Sequence, residues 1–145
     1  MIKKTSVFIL LMALIFILSC GTTSRIEFSE IKSGSLSIVP LKHTLKTNVA
    51  IPGGDWIDLI ISLNNNSSSV IKIDFDDMFL MDNENNKLRV EYVSRVKLNT
   101  LDKLYLNLQP NSEIKKKVTF FIKEKNHVKS IIYEDKKVNL NFIHN

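Results

Sequence analysis

The chain has 145 residues, of which 44% are hydrophobic and 24% charged, and its formal net charge is +5. This length allows one domain, occasionally two very small ones, and excludes a dinucleotide-binding half joined to a separate substrate domain. The composition is typical of a soluble globular domain rather than of a disordered chain. So small a positive surplus gives little support for nucleic-acid binding, which usually needs a clustered basic face, and we expect no nucleic-acid partner.

The first residues have the pattern of an export signal. Lys3 and Lys4 precede an uninterrupted apolar run over residues 7–18. A membrane-spanning helix needs about 20 apolar residues, whereas a shorter run is typical of the hydrophobic region of a signal peptide. We therefore expect residues 1–19 to be removed on export, which lowers the net charge of the remaining chain from +5 to +3.

The apolar run ends at Ile17-Leu18-Ser19-Cys20-Gly21, where a small residue directly precedes a cysteine. This sequence resembles the lipobox of bacterial lipoproteins, with Ile17 and Leu18 at the positions where many lipoboxes have Leu and a small residue. The resemblance implies a diacylglyceryl group on the sulfur of Cys20, and often a third acyl chain such as palmitate on its amine. Two or three acyl chains hold a protein at a membrane almost permanently. The alternative is an ordinary signal peptide with an unrelated cysteine at its end.

The cysteine content agrees with a lipid site. Cys20 is the only cysteine of the chain, so no intramolecular disulfide can form and the domain must depend on its hydrophobic core. We expect no cofactor other than the covalent lipid on Cys20. Gly21 follows in place of the Asp that retains many lipoproteins at an inner membrane. The sequence therefore predicts an exported, lipid-anchored protein, at the outer membrane if the cell has one.

Downstream of the lipid site the hydrophobic pattern has period 2, which is typical of β-strands. We expect residues 20–30 to form the lipidated cysteine and a short tether, and residues 31–145 to form one domain. The clearest strand covers residues 56–63, in which alternate residues from Ile57 to Leu63 form one apolar face. Other strands are predicted at residues 26–28, 35–39, 71–75, 79–81, 88–92, 114–122, 128–133 and 138–142, with a loop over 42–54 and a helix or strand over 98–108. About eight or nine short strands at this spacing predict an antiparallel sandwich or small barrel.

Four segments of the chain form a recognisable series. They are a hydrophobic strand ending in Asn at residues 57–65, a short strand leading into an Asp-containing turn at 79–86, a leucine-rich stretch with a Pro turn at 106–113, and a strand ending in Phe at 117–120. This series resembles a bacterial immunoglobulin-like family of unknown function, which is common in small secreted proteins and lipoproteins and is related to a secreted mycobacterial immunoprotective antigen. Asn86 and Asn111 stand where the family usually has Gly, and Asn is the next-best residue at positive φ. The resemblance implies an immunoglobulin-like antiparallel β-sandwich and no reaction.

Acidic residues suggest a weak metal candidate. Asp74, Asp76 and Asp77 could present oxygens to Ca²⁺, which takes 6–8 oxygen ligands. Asp82 and Glu84 follow at the spacing of a calcium loop, but the later positions of that loop lack the required Gly and ligand. The favoured alternative is two solvated turns in which Asp and Asn bond their own backbone, so we expect no metal site.

The sequence shows no pattern of catalytic residues. His43, His127 and His144 do not have the spacing of a zinc pair, and no serine lies in a nucleophile elbow. The four glycines form no phosphate-binding loop. We therefore expect a protein that is not an enzyme.

The run Lys115-Lys116-Lys117 is the sharpest charge cluster. Strand alternation places Lys115 and Lys117 on one face and Lys116 toward the core, unless this strand lies at a sheet edge, where inward lysines prevent unwanted pairing. The basic C-terminal third favours attraction to anionic lipid or a polyanion, with a merely solubilised surface as the alternative. Trp56 begins the best strand and either packs in the core or rim of the sandwich or serves as an exposed anchor for a partner.

The sequence thus predicts a membrane-anchored lipoprotein whose β-sandwich is a non-catalytic binding module, with Trp56, Lys115 and Lys117 as candidate partner-binding residues. Its partner would be another envelope protein, a host molecule or a polyanion. The alternative is a small-ligand carrier or inhibitor-like protein that uses a cavity between the sheets. An apolar cavity of about 300 Å³ or more would favour the carrier, and an exposed apolar patch or unpaired strand edge would favour the protein binder.

Overall fold

The computed structural model describes residues 21–47, 53–97, 100–123 and 125–143. The expected signal peptide, Cys20 and His144 lie outside this part of the chain. Within the described residues there are thirteen strands and one short 3-10 turn (Phe75–Asp77), and no helix is long and apolar enough to span a membrane. The strands are β1 (Thr22–Ile26), β2 (Ile31–Ser33), β3 (Leu36–Lys46), β4 (Gly54–Asn65), β5 (Ile71–Asp74), β6 (Met78–Asp82), β7 (Lys87–Arg95), β8 (Leu101–Asp102), β9 (Tyr105–Leu108), β10 (Ser112–Lys123), β11 (Val128–Tyr133), β12 (Lys136–Asn139) and β13 (Phe142–Ile143).

Eleven strands form one antiparallel sheet in the order β12-β11-β6-β7-β10-β4-β3-β1-β13, with β2 paired to β3 and β8 to β7. β7 belongs to both halves of this sheet, because Leu88 near its start lies opposite Leu80 of β6, whereas Val93 near its end lies opposite Val118 of β10. The sheet is curled, and its two halves enclose one hydrophobic core. β5 and β9 form a separate antiparallel pair. The predicted all-β class and antiparallel pairing are confirmed, and the arrangement is consistent with a β-sandwich.

The core consists of the alternate residues that the period-2 pattern indicated. All four aliphatic residues from Ile57 to Leu63 on the inward face of β4 are at most 1% exposed. Val118 and Phe120 of β10 lie opposite Leu59 and Ile57 and are fully buried as well. Burying a side chain of this size contributes about 1.5–3 kcal/mol, so these two central strands stabilise the domain strongly.

The N-terminal part of the domain differs from the prediction. β1 lies within the stretch expected to form a tether, and it pairs along its length with β3 and at its end with β13. β3 continues to Lys46 and so includes the first five residues of the expected loop, because residues 42–46 pair with β4. The rest of that loop includes residues 48–52, which lie outside the described residues. Partners that are distant in the chain produce these strands, and local periodicity does not reveal them.

The stretch that was compatible with a helix or a strand contains β8 and β9. Tyr105 to Leu108 pairs with β5, so that Leu106 lies opposite Ile73. Leu101 and Asp102 pair with the end of β7. Residues 98–99 lie outside the described part of the chain. Strand alternation is therefore correct for this segment, because β5 and β7 supply the backbone partners that a helix would not need.

Candidate functional site

A cleft with a volume of about 660 Å³ lies where β7, β8 and β10 meet β9 and the 3-10 turn. Its floor is apolar, because Phe75 and Val93 are buried there and Leu106 and Ile114 are half-buried. Each of these four side chains comes from a different element, so the floor exists only in the folded protein. Its volume falls within the range of about 300–1,000 Å³ that is typical of ligand pockets. The cleft is therefore large enough for a small organic molecule.

Cationic side chains surround this apolar floor. Five cationic side chains and only one carboxylate, that of Asp102, line the cleft, which gives a surplus of four positive charges. The five are Arg95, Lys97, Lys103, Lys115 and Lys116. Arg95, Lys97 and Lys115 are exposed, and within the described residues none of these three forms an ion pair. We call the whole feature, floor and cations together, the basic cleft.

Lys116 and Asp102 form the inner part of the basic cleft. The side chain of Lys116 is only 6% exposed, and its Nζ lies 2.5 Å from Oδ2 of Asp102, whose side chain is 25% exposed. Asp102 lies opposite Val93 on one side of β7, and Val118 lies opposite Val93 on the other. Lys116 is therefore diagonal to Asp102 across β7. The inward direction of Lys116 is confirmed, but the edge-strand alternative is wrong because β10 pairs with both β4 and β7.

Tyr105 presents an exposed aromatic ring at the mouth of the basic cleft. Its hydroxyl accepts a hydrogen bond from Nζ of Lys103 at 3.0 Å, and the ammonium groups of Lys103 and Lys72 lie 5.2 and 5.8 Å from the ring centroid. The hydrogen bond and charge of Lys103 lower the pKa of the Tyr105 hydroxyl. Both ammonium groups therefore lie within the distance of about 6 Å at which a cation is attracted to an aromatic ring.

The other predicted partner-binding residues lie on the outer face of the sheet. Trp56 is half-buried and packs against Phe121 and Tyr92, with ring centroids 5.2 and 5.7 Å away. It points away from the core because the next residue, Ile57, starts the inward face. The structure thus places Trp56 in packing at the surface of the sheet rather than in the sandwich core.

Beside Trp56 the nearly buried carboxylate of Asp58 gathers polar partners. It accepts hydrogen bonds from Lys46 Nζ at 2.5 Å and from Thr119 Oγ1 at 2.7 Å, and Lys117 Nζ lies 4.0 Å from its Oδ2. Lys117 and Trp56 line one shallow groove on this face, whereas Lys115 lines the basic cleft. The three candidate partner-binding residues therefore do not line one common cavity.

The acidic residues considered for Ca²⁺ lie in and next to the 3-10 turn. Asp74 caps this turn, since its Oδ1 accepts a hydrogen bond from the backbone N–H of Asp76 at 3.1 Å, while Asp76 and Asp77 are exposed. In the described ranges no three His, Cys, Asp or Glu side chains come close enough together to hold a metal ion. Asp74 therefore has the geometry of the favoured alternative, a turn in which the Asp side chain bonds the neighbouring backbone.

A smaller apolar pocket of about 270 Å³ lies on the inward side of β1 and β3, next to β11 and β13. His43 lines it and packs on Phe142 at a centroid distance of 4.8 Å, and burial lowers the pKa of the His43 imidazole. The remaining lining includes Leu45, Ile57 and Val128. His43 is thus a packed, neutral side chain rather than a surface residue.

Comparison with known proteins adds information on the fold only. No protein-family model matches the chain, and no curated protein is significantly similar to it. The crystal structure of a functionally unknown protein from Listeria monocytogenes EGD-e is similar, with a TM-score of 0.53 and 16% sequence identity over 74% of this chain and 68% of that one. At this identity the similarity concerns the fold and assigns no activity.

Proposed function

We propose that this chain is a lipid-anchored protein of the bacterial envelope whose immunoglobulin-like β-sandwich is a non-catalytic binding module for an anionic partner. The lipid is attached to Cys20 after removal of residues 1–19, and the anionic partner binds at the basic cleft. The protein is at the outer membrane if the cell has one. β1 begins at Thr22, two residues after Cys20, so the domain lies close to the membrane surface.

The basic cleft is the observation that carries this proposal. Three exposed cations without carboxylate partners among the described residues, Arg95, Lys97 and Lys115, lie on one concave surface. Like charges gathered in a cleft focus the electrostatic field and attract an oppositely charged ligand. Among the described residues, the titratable groups that line the cleft are the five cations, Asp102 and Tyr105, and Asp102 is paired with Lys116 and Tyr105 with Lys103. These features favour binding over catalysis.

The anchor is tested by replacing Cys20. We expect Cys20→Ser to abolish labelling by a radioactive fatty acid and to move the protein from the membrane fraction to the soluble fraction of the cell, because no acyl chain remains to insert. Ser19→Ala, which keeps a small residue before the cysteine, is the matched control and should still be labelled. Unchanged membrane partitioning of the Cys20→Ser protein would contradict the anchor.

The binding site is tested with a chain that begins at Gly21, since the described strands share one core that does not include the anchor. We expect it to bind heparin, used as a generic polyanion, and the variant Arg95→Gln/Lys97→Gln/Lys115→Gln to bind about tenfold more weakly at low salt, because each lost surface charge contributes up to about 1 kcal/mol. The measurement is isothermal calorimetry at two salt concentrations.

A matched control separates the cleft from general basicity. Lys42, Lys123 and Lys129 are exposed and lie outside the basic cleft. Replacing these three lysines by Gln removes three positive charges, as the cleft variant does. We expect this control to retain most of the affinity. An equal loss in both variants would show that diffuse charge, and not the cleft, attracts the polyanion.

A further inference from the structure

The basic cleft combines an apolar floor with a cationic rim, and this combination indicates a chemical class of ligand. We propose that the basic cleft binds a single acidic amphiphile, a molecule with one phosphate or carboxylate group and a short alkyl or aromatic portion. This inference rests on the proposed function, because it specifies which anionic partner occupies the same site. The acidic group lies among the rim cations, and the apolar portion lies on the floor.

The floor accounts for the apolar portion of the ligand. Phe75 and Val93 are the buried part of this floor, and Leu106 and Ile114 are the part that water still reaches. A fully polar anion such as phosphate would leave this apolar surface in contact with water. An alkyl chain would remove it from water and would gain free energy in proportion to the area buried. The floor therefore favours an amphiphile over a purely polar anion.

The rim accounts for the acidic group. Arg95, Lys97 and Lys115 are exposed, so their cations are available to an anion without the desolvation cost of a buried charge. Lys116 differs from them, because Asp102 neutralises its ammonium group inside the cleft. The uncompensated positive charge thus lies at the mouth of the cleft, and the apolar surface lies below it. The ligand is therefore oriented with its acidic group outward.

The concave shape selects one molecule rather than a membrane surface. The floor lies between the end of β7 with β8 on one side and β9 on the other, and Tyr105 is held at the mouth by Lys103 and Lys72. A flat bilayer contacts exposed side chains but does not reach residues buried at the bottom of a cleft. A single chain does reach them, and the ring of Tyr105 offers it an additional apolar surface at the entrance.

The test uses the chain that begins at Gly21 and a series of probes in calorimetry at low salt, below their micelle concentrations. The probes are inorganic phosphate, hexyl, octyl and decyl phosphate, 1-octanol, heparin and phosphatidylglycerol vesicles. We expect the dissociation constant of the alkyl phosphates to fall about three- to fourfold with each methylene until the floor is covered, since one buried methylene contributes about 0.8 kcal/mol. Inorganic phosphate and octanol should bind far more weakly than octyl phosphate.

Variants assign the two parts of the ligand to the two parts of the cleft. Ile114→Asn should flatten the dependence on chain length while heparin binding persists, whereas Ile114→Val should keep it. Arg95→Gln/Lys97→Gln/Lys115→Gln should weaken all the alkyl phosphates by a similar factor and leave the chain-length dependence unchanged. Thermal unfolding of each variant confirms that it is folded, and Leu106→Asn replaces Ile114→Asn if the latter is not.

The outcomes distinguish this inference from the proposed function. If heparin binds at the cleft but the affinity for alkyl phosphates does not depend on chain length, the inference of an amphiphilic ligand is wrong. The proposed anion-binding function then still stands. If vesicles bind and octyl phosphate does not compete, the ligand is a membrane surface and the inference is overturned. If none of the anionic probes binds at low salt, both the inference and the anion-binding function are wrong.

Discussion

At the scale of single residues, Asp82 carries more hydrogen bonds than its position at the end of β6 would suggest. Its Oδ1 accepts from the backbone N–H groups of Glu84 and Asn86 at 2.9 and 2.8 Å, and its Oδ2 accepts from the side-chain amides of Asn86 and Asn126 at 2.9 and 2.8 Å. Asp82 thus holds the turn after β6 and ties it to the loop that precedes β11. Asp82 and Glu84, whose spacing resembled the start of a calcium loop, therefore belong to a turn that the Asp82 carboxylate stabilises.

Asp82 should make stability depend on pH. Burial alone would raise the pKa of its carboxyl group, but the hydrogen bonds from Asn86, Asn126 and Glu84 outweigh burial and lower the pKa. An aspartate in the unfolded chain titrates near 3.9, so the stabilisation is complete above about pH 4 and is lost as the pH falls through the lower folded pKa. Urea unfolding of the wild-type protein between pH 7 and pH 2.5 measures this loss.

We expect Asp82→Ala to lower the free energy of unfolding at neutral pH by about 1–3 kcal/mol, because it leaves the donors of the turn unpaired. The same variant should lose less additional stability than the wild type below about pH 4, since the titrating group is gone. Asp76→Ala, at an exposed aspartate, is the control and should change stability little. Equal acid sensitivity of Asp82→Ala and wild type would show that other carboxylates cause it.

At the scale of elements, the ion pair of Lys116 and Asp102 connects β8 to β10 across β7. The two side chains differ in exposure, because Lys116 is 6% exposed and Asp102 25%. Asp102→Ala leaves a buried ammonium group unpaired, which costs about 3 kcal/mol or more. Lys116→Met removes the buried charge, and Asp102 can then be hydrated from the mouth of the cleft, so we expect a loss below about 1.5 kcal/mol. Urea unfolding of both variants measures the asymmetry.

The exposed pair of Lys136 and Asp135 provides the control for this asymmetry. Both side chains are more than half exposed, and Lys136→Met should change the free energy of unfolding by less than about 0.5 kcal/mol. If Asp102→Ala and Lys116→Met destabilise the domain equally, the pair acts as a solvated contact and burial of Lys116 does not govern its energy.

The strands of the centre of the sheet could be predicted from sequence, whereas their partners could not. The apolar faces of β4 and β10 repeat every second residue, and both faces are buried as expected. The outward position of Trp56 follows from the same alternation once Ile57 is assigned to the core. The sequence predicted a strand at residues 26–28, whereas β1 covers Thr22–Ile26. Residues 22–25 were missed because Ile26 is the only large apolar residue of β1, and pairing with β3 and β13 makes it a strand.

The candidate site was only partly visible in sequence for the same reason. Lys115 and Lys116 stood out as a charge run, and the inward direction of Lys116 followed from alternation. Arg95, Lys97 and Asp102 gave no signal, because they lie in and after β7 and join the cleft only when β7 pairs with β10. A buried ammonium group needs a carboxylate partner. The inward direction of Lys116 therefore predicts a nearby Asp or Glu, and that prediction could have led to Asp102.

At the scale of the whole molecule, β7 joins the two halves of the curled sheet, and β1 and β13 join the two ends of the domain. The buried face of β7 packs on both halves, with Val90 and Val93 at 4% and 1% exposure. Ile26 near the start and Leu140 near the end belong to the same hydrophobic core. Neither half therefore has a separate core of its own, and the domain should fold as one cooperative unit.

This cooperativity predicts one unfolding transition for the chain that begins at Gly21. Trp56, the single tryptophan, reports on β4, whereas amide exchange of β11 reports on the other half. Both signals should change at the same urea concentration. Val90→Ala should shift both by the same amount, equivalent to about 1–3 kcal/mol, because it opens a cavity at the strand that the halves share. Val70→Ala, at an exposed valine between β4 and β5, should shift neither. Loss of the β11 signal at a lower urea concentration than the tryptophan signal would show that β7 separates two independent units instead of joining them.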